Sequence, residues 1–275
     1  MNNELKLRIM SAIVMVAVTL FSVWIGGAVF AILVIIAGLL IFYEWSTIIK
    51  TEPSLTFLGW ATLVISFVLL FLDFVPHALI ALIIGAVVTA FMGYRQKSDV
   101  WVAGGILYAG LPVIAFAELR GEGIMGLFAI TFIFVVVWAT DIFAYFCGKS
   151  MGGPKLAPSI SPGKTWSGAI FGLAAGVGAG LFTVLMLREG GGIYLPIIAI
   201  LLSLSSQIGD LFESWIKRRF NVKDSSQLIP GHGGVMDRLD GVVFAAVTAF
   251  VIAMFAQYYG GSQSSDVIAM HLLGL

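Results

Sequence analysis

IYLPIIAILLSLSSQIGDLFESWIKRRFNVKDSSQLIPGHGGVMDRLDGVVFAAVTAFVIAMFAQYY, residues 193–259, is two apolar runs with a charged one between them. The outer runs, 193–213 and 239–259, are each long enough to cross a bilayer as a helix. The run between them, 214–238, carries Lys217, Arg218, Arg219, Lys223, Asp224, His232, Asp237 and Arg238. A lipid-embedded chain that crowds charge between two spans is expected to keep its chemistry there.

The same apolar runs fill the rest of the chain. Its 275 residues are 60% hydrophobic and 11% charged, where a soluble domain averages about 25% charged. Spans are predicted near 9–25, 28–49, 55–75, 77–94, 101–118, 124–147, 167–187, 193–213 and 239–259. The expected fold is an all-α polytopic integral membrane protein of about nine transmembrane helices. Three segments follow. Residues 1–120 are scaffold helices, in which Glu44 has no assigned role. Residues 121–260 are catalytic helices with polar loops at 148–166 and 214–238. Residues 261–275 are a short tail. Lys6 and Arg8 precede an apolar stretch, as in a signal peptide, but no small-residue cleavage site follows, so a retained first helix is expected. Cys147 is the single cysteine, which excludes a disulfide framework and a thiolate metal site. It is expected to be a small buried hydrophobe.

Loop charge sets the orientation. With the N-terminus cytoplasmic, Lys6, Arg8, Lys50, Arg95, Lys97, Lys149, Lys155, Lys164, Lys217, Arg218, Arg219, Lys223 and Arg238 all fall on the cytoplasmic side. Only Arg120 and Arg188 fall outside. The positive-inside rule therefore puts both long polar loops in the cytoplasm, where nucleotides are. Compact length without a hydrophilic extension suggests a bacterial plasma membrane.

Acids within the spans come next. Asp141 lies near the cytoplasmic end of the sixth span, and Asp210 and Glu213 end the eighth. An acid at bilayer depth costs on the order of 3 kcal/mol on insertion scales. It is retained to bind a cation, a proton or a basic partner. Asp210, Glu213, Ser214 and Lys217 fall at i, i+3, i+4 and i+7, one helical face. Such a polar stripe suits the wall of a polar cavity; the structural alternative is an Asp–Lys pair between helices.

PGHGG, residues 230–234, surrounds His232 with glycines. A loop of this kind brings backbone N–H groups close to an anion, here through Gly233 and Gly234. Asp237 and Asp240 follow at i and i+3. Carboxylates beside a basic cluster fit a divalent cation bridging phosphates, because Mg²⁺ takes one or two carboxylates and fills its shell with phosphate oxygens and water. Lys217, Arg218, Lys223, His232 and Arg238 can hold the remaining phosphate charge. Anchoring to anionic lipid would account for one or two of these bases, not for the acids and glycines among them.

The other polar stretch, 148–168, offers Lys149, Lys155 and Lys164 among Gly, Pro and Ser. GKT at 163–165 does not complete a P-loop, which needs Gly where this chain has Pro158. A lid that touches substrate through Lys164 is expected; a solvated connector is the alternative. Gly172, Gly176 and Gly180 then recur at four-residue spacing, a close-packing face for another helix or subunit.

Together these stretches resemble the phosphatidate cytidylyltransferase (CDP-diacylglycerol synthase) family. The run Ser214–Asp240 matches its signature at each defined position, among them Ser214, Lys217, Arg218, Lys223, Pro230, His232, Gly233, Gly234, Asp237, Arg238 and Asp240. Ser161, Pro162, Lys164, Thr165, Trp166 and Gly168 resemble a second family stretch. Ser167 departs from it, since the family usually has Glu there. The likeness is strong over 141–240.

The resemblance implies an Mg²⁺-dependent transfer of CMP from CTP to phosphatidic acid. It places the metal, one cation or two, on Asp210 and Asp237; the reading of the acids themselves adds Asp141 and Asp240 as further candidates. It makes Asp210, Lys217, His232, Asp237 and Arg238 catalytic. Lys164, Ser214, Arg218, Lys223, Gly233 and Gly234 would bind substrate. His232 would hold phosphate or donate a proton to the leaving group. A homodimer in membrane lipid is implied, with no nucleic-acid partner. Two rivals stand beside it: a CTP-dependent lipid-alcohol kinase, and a transporter that uses Asp141 and Asp210 as ion carriers.

Overall fold

The computed structural model describes residues 3–96, 100–187, 194–260 and 272–273. Lys97, Arg188 and nearly all of the 261–275 tail lie outside the described residues. Among the described residues there are nine helices long and apolar enough to cross a membrane. They are α1 (Asn3–Ile25), α2 (Gly27–Ile49), α3 (Pro53–Phe71), α4 (Val75–Arg95), α5 (Trp101–Arg120), α6 (Ile124–Met151), α7 (Trp166–Leu187), α8 (Leu195–Arg219) and α9 (Met236–Gly260). Two short strands, β1 (Lys155–Ala157) and β2 (Ser161–Thr165), separate α6 from α7. Side chains such as Ile13, Phe57, Ile83, Phe182 and Phe255 are exposed. An outer surface of that kind suits lipid, where a helix satisfies its own backbone hydrogen bonds.

The helix breaks follow from local chemistry. Pro53 and Pro76 sit in the first turns of α3 and α4, where a missing N–H is harmless. Lys50 caps α2 in the left-handed region with φ 51°.

Both polar stretches are more ordered than the sequence suggests. The 148–166 stretch, expected as a lid loop, instead starts inside α6 and continues as a hairpin. The helix runs to Met151 and stops where Gly152 (φ +64°) and Gly153 (φ +101°) turn the chain. Lys155 then pairs with Thr165, and Ala157 with Ser161, antiparallel. In the 214–238 stretch, the first six residues belong to α8, which ends in Lys217, Arg218 and Arg219. Cations there complement the helix dipole. Cys147 is half-buried.

The chain forms two compact units. The first comprises residues 1–117 and 220–238. In it, Trp45 is buried against Tyr108 at 5.2 Å and donates from Nε1 to the Trp101 carbonyl at 2.9 Å. Phe220 meets Trp101 edge to face at 5.7 Å.

The second unit comprises residues 118–219 and 239–275. The α7 glycine face lies against α6. A Cβ at Gly172 would stand 2.7 Å from the Thr140 carbonyl, and one at Gly180 2.7 Å from a Val136 methyl. The close-packing role expected of Gly172, Gly176 and Gly180 is thus met within the chain. On the other side of α8, Ser205 Oγ reaches Thr248 Oγ1 of α9 at 2.6 Å.

Candidate active site

In the second unit, three acids from three helices share one neighbourhood: Asp141 of α6, Asp210 of α8 and Asp240 of α9. Asp240 meets Asp210 side chain to side chain, and Asp141 lies within electrostatic reach of both. Glycine makes the approach possible. A Cβ at Gly209 would stand 2.6 Å from the Asp240 carbonyl, so only a bare backbone beside Asp210 admits α9 so closely. Asp240 Oδ1 accepts from the Gly241 N–H at 2.9 Å, which orients it.

Lys164 supplies the countercharge. The hairpin carries it to α8, where its Nζ lies 2.5 Å from Asp210 Oδ2 with both side chains partly open. The hairpin is tied at its base by Ser167, whose Oγ donates to the Gly152 carbonyl at 2.5 Å. The Ser that departs from the family pattern thus has a structural task. Arg218, exposed on α8, donates to the Ile160 carbonyl at 3.4 Å. Glu213 is almost fully buried and pairs with Lys217 at 2.7 Å. Of the stripe read from the sequence, Glu213 is therefore engaged by Lys217, and Asp210 is turned to the acid cluster. Ser214 lies half-buried one turn beyond Asp210.

The first unit holds the glycine loop. Glu44 of α2, fully buried, accepts from four donors in it. Ser226 Oγ (2.6 Å) and the Val235 N–H (2.8 Å) reach Oε1. Ser225 Oγ (3.0 Å) and the Met236 N–H (2.7 Å) reach Oε2. Asp237 Oδ2 accepts from the Ser225 N–H (2.9 Å), Ser225 Oγ (2.9 Å) and the Gly234 N–H (2.8 Å). Gly233 has φ +84°, and a Cβ at Gly234 would run into Ser225 Oγ and Glu44 Oε1, so the loop's own folding requires both glycines. His232 is half-buried, with Nδ1 2.8 Å from Ser11 Oγ of α1. Lys223 and Arg238 are exposed.

Sequence reasoning missed Glu44, Ser225 and Ser11. For Glu44 a signal existed, since it is an acid inside an apolar span. For the two serines there was none.

The donor set suits a hard cation. Carboxylate oxygens are the ligands Mg²⁺ prefers, and an ammonium already stands against Asp210 where positive charge is required. Among the described residues, no group of three or more His, Cys, Asp or Glu is placed to hold a metal ion by itself.

A family model described as the Cytidylyltransferase family matches residues 6–256. The chain belongs to the cytidylyltransferase family. The match runs from α1 into α9, so it includes both units. Two of the relatives named here are similar over nearly the same extent, and a third over about three quarters of the chain. The phosphatidate cytidylyltransferase of Brucella abortus biovar 1 (strain 9-941) is 44% identical over 258 residues, 93% of this chain and 96% of the relative. That of Bacillus subtilis (strain 168) is 34% identical over 267 residues, 92% and 99% of the two chains. That of Rickettsia bellii (strain RML369-C) is 38% identical over 212 residues, 74% of this chain.

Proposed function

We propose that this cytidylyltransferase transfers CMP from CTP to phosphatidic acid, forming CDP-diacylglycerol and pyrophosphate for phospholipid synthesis. The observation that carries it is the 44% identity to a phosphatidate cytidylyltransferase over 93% of the chain. An oxygen of the lipid phosphate forms a bond to the α-phosphorus of CTP, and the bond from that phosphorus to the bridging oxygen of the β-phosphate breaks. The lipid phosphate is already an anion at neutral pH, so no strong base is required. Positioning and charge neutralisation do the work.

We assign Asp210 to a divalent cation, Mg²⁺, with Asp141 and Asp240 beside it. The family signature gives Asp237 the same kind of role. Bound there, Mg²⁺ would neutralise triphosphate charge and stabilise the leaving pyrophosphate. Lys164, now paired with Asp210, would follow the phosphate when Asp210 is otherwise engaged. Lys217, Arg218, Lys223, His232 and Arg238 supply positive charge or donors to CTP, and Ser214, Gly233 and Gly234 complete the substrate-binding set. We take the N-terminus and both polar stretches as cytoplasmic, on the loop charges, and the enzyme as a homodimer, on the family resemblance.

The test is pyrophosphate release by purified protein given CTP, Mg²⁺ and phosphatidic acid, each omitted in turn. Release that needs all three, with CDP-diacylglycerol formed in equal amount, supports the proposal. CDP accumulating with a lipid alcohol would replace it with a kinase. CTP left untouched by folded protein would reopen a transporter.

A further inference from the structure

We propose that Glu44 is a positioning residue: its carboxylate holds residues 225–236 in the conformation that presents His232, Asp237 and Arg238. What those residues do rests on the cytidylyltransferase reading above. How they are held rests on geometry within the first unit alone.

Glu44 is surrounded on α2 by buried Ile41, Phe42, Trp45 and Ile48, with no exposure of its own. A carboxylate in such a place is tolerated only where donors replace the water it has lost. Four donors do so here, two on each oxygen. Two of them, the N–H groups of Val235 and Met236, stand at the start of α9, where no preceding turn accepts them. A helix is usually capped there by its own Ser, Thr, Asp or Asn. Position 235 is Val, so an acid from α2 takes over the task, with the sign of charge that a helix N-terminus favours. The other two donors, Ser225 and Ser226, lie at the opposite end of the segment. One side chain therefore ties both ends of a loop whose middle is Pro230–Gly233. The chain passes so close to Glu44 that position 234 must be glycine. His232, at the tip, is steadied by its own N–H on the Ile229 carbonyl at 2.9 Å, by the Ser11 contact and by the Ile229–Gly233 bridge, and the fixed ends set where this turn presents it.

Glu44→Gln is the informative change. Each carboxylate oxygen receives one backbone N–H, and an N–H cannot reverse. An amide nitrogen in either position must therefore face a donor it cannot accept from. Wild type and variant, purified in detergent, are compared by pyrophosphate release and by amide exchange across 225–238. The expected result is a fall in kcat/KM for CTP of about 10- to 100-fold. The KM for phosphatidic acid should stay within about twofold. Faster exchange should be confined to 225–236, and Glu44→Asp should recover part of the loss. Unchanged exchange in the loop, or an unchanged kcat/KM for CTP, overturns the proposal. So does faster exchange throughout with equal loss toward both substrates, which would mark a merely structural acid. If Glu44→Gln does not fold, Ser226→Ala removes one donor and carries the same test, with a loss of about 3- to 10-fold expected toward CTP. A wild-type value there overturns the proposal. If wild type itself does not turn over CTP, the functional reading fails, and loop exchange alone decides whether Glu44 is the latch.

Discussion

Asp237 has two tasks to separate, and replacing it by Ala and by Asn separates them. Its Oδ2 accepts the N–H groups of Ser225 and Gly234 and the Ser225 hydroxyl. Ala strands both N–H groups. An unpaired backbone donor costs about 1–3 kcal/mol, so the loop would lose about 2–6 kcal/mol. The hydroxyl adds little to that, because it can turn to Glu44 Oε2 at 3.0 Å. The site is half-buried, so water repairs part of the loss and the lower half of the range applies. Against a total stability of about 5–15 kcal/mol, that is enough to open the loop locally without unfolding the protein. Asn can set its amide oxygen where Oδ2 now lies and keep all three bonds. It forfeits only charge assistance, about 1 kcal/mol. Amide exchange at Ser225 and Gly234, with pyrophosphate release on the same samples, reads both tasks. Asp237→Ala is expected to lose protection and turnover together. Asp237→Asn is expected to keep the protection and still lose turnover by about 100-fold or more, because a carboxylate assigned to a cation is gone. Near-normal turnover in Asp237→Asn would reduce Asp237 to a loop-holding residue and remove it from the cation reading. Loss of protection as deep as in the Ala variant would refute the geometric reasoning itself.

Asp210→Asn should abolish turnover in protein that stays folded in detergent, and near-normal release would take Asp210 out of the cation site. Lys164→Met leaves Asp210 without its ion-pair partner; turnover should fall by about tenfold or more, with faster exchange in the 155–165 hairpin, and unchanged exchange there would mean that the ion pair does not hold the hairpin. Ser167→Ala removes a hydrogen bond worth about 1 kcal/mol and should lower the melting temperature slightly while activity stays near wild type; a large loss of activity would give Ser167 a role in chemistry. Gly234→Ala should disable the loop, since its Cβ meets Ser225 and Glu44, and a fully active variant would show that the loop has another conformation.

The spans were legible because a bilayer imposes one constraint everywhere: about 20 apolar residues with every backbone group satisfied. Each predicted span falls mainly on one of α1 to α9, although the one at 55–75 overruns the end of α3 at Phe71. The errors fall where lipid gives way to water and local chemistry takes over. Nothing in Ser214–Arg219 breaks a helix, so α8 continues past its apolar stretch into its basic end. Likewise, polarity concealed the hairpin at 155–165. Its strands are three and five residues long, and a run of Gly, Pro and Ser has no period-2 pattern to reveal it.

The candidate site was legible in its residue types but not in its partnerships. Spacing alone placed Asp210, Glu213 and Lys217 on one face. It could not tell that Glu213 serves Lys217 while Asp210 faces Lys164, since the choice depends on a hairpin 46 residues upstream of Asp210. Glu44 shows the same limit more sharply. A lone acid in a scaffold helix has no motif around it, and its four donors lie 181 to 192 residues away. Its only mark in the sequence is its cost. A charge at that depth is removed by any mutation to an apolar residue unless something depends on it. The same logic that drew attention to Asp141 and Asp210 applies to Glu44, with one difference. Asp141 and Asp210 keep side-chain surface open for an ion or a substrate, whereas Glu44 is closed over by donors from its own chain. An intramembrane acid therefore marks a dependence, and whether that dependence is catalysis or positioning is decided by what its oxygens face.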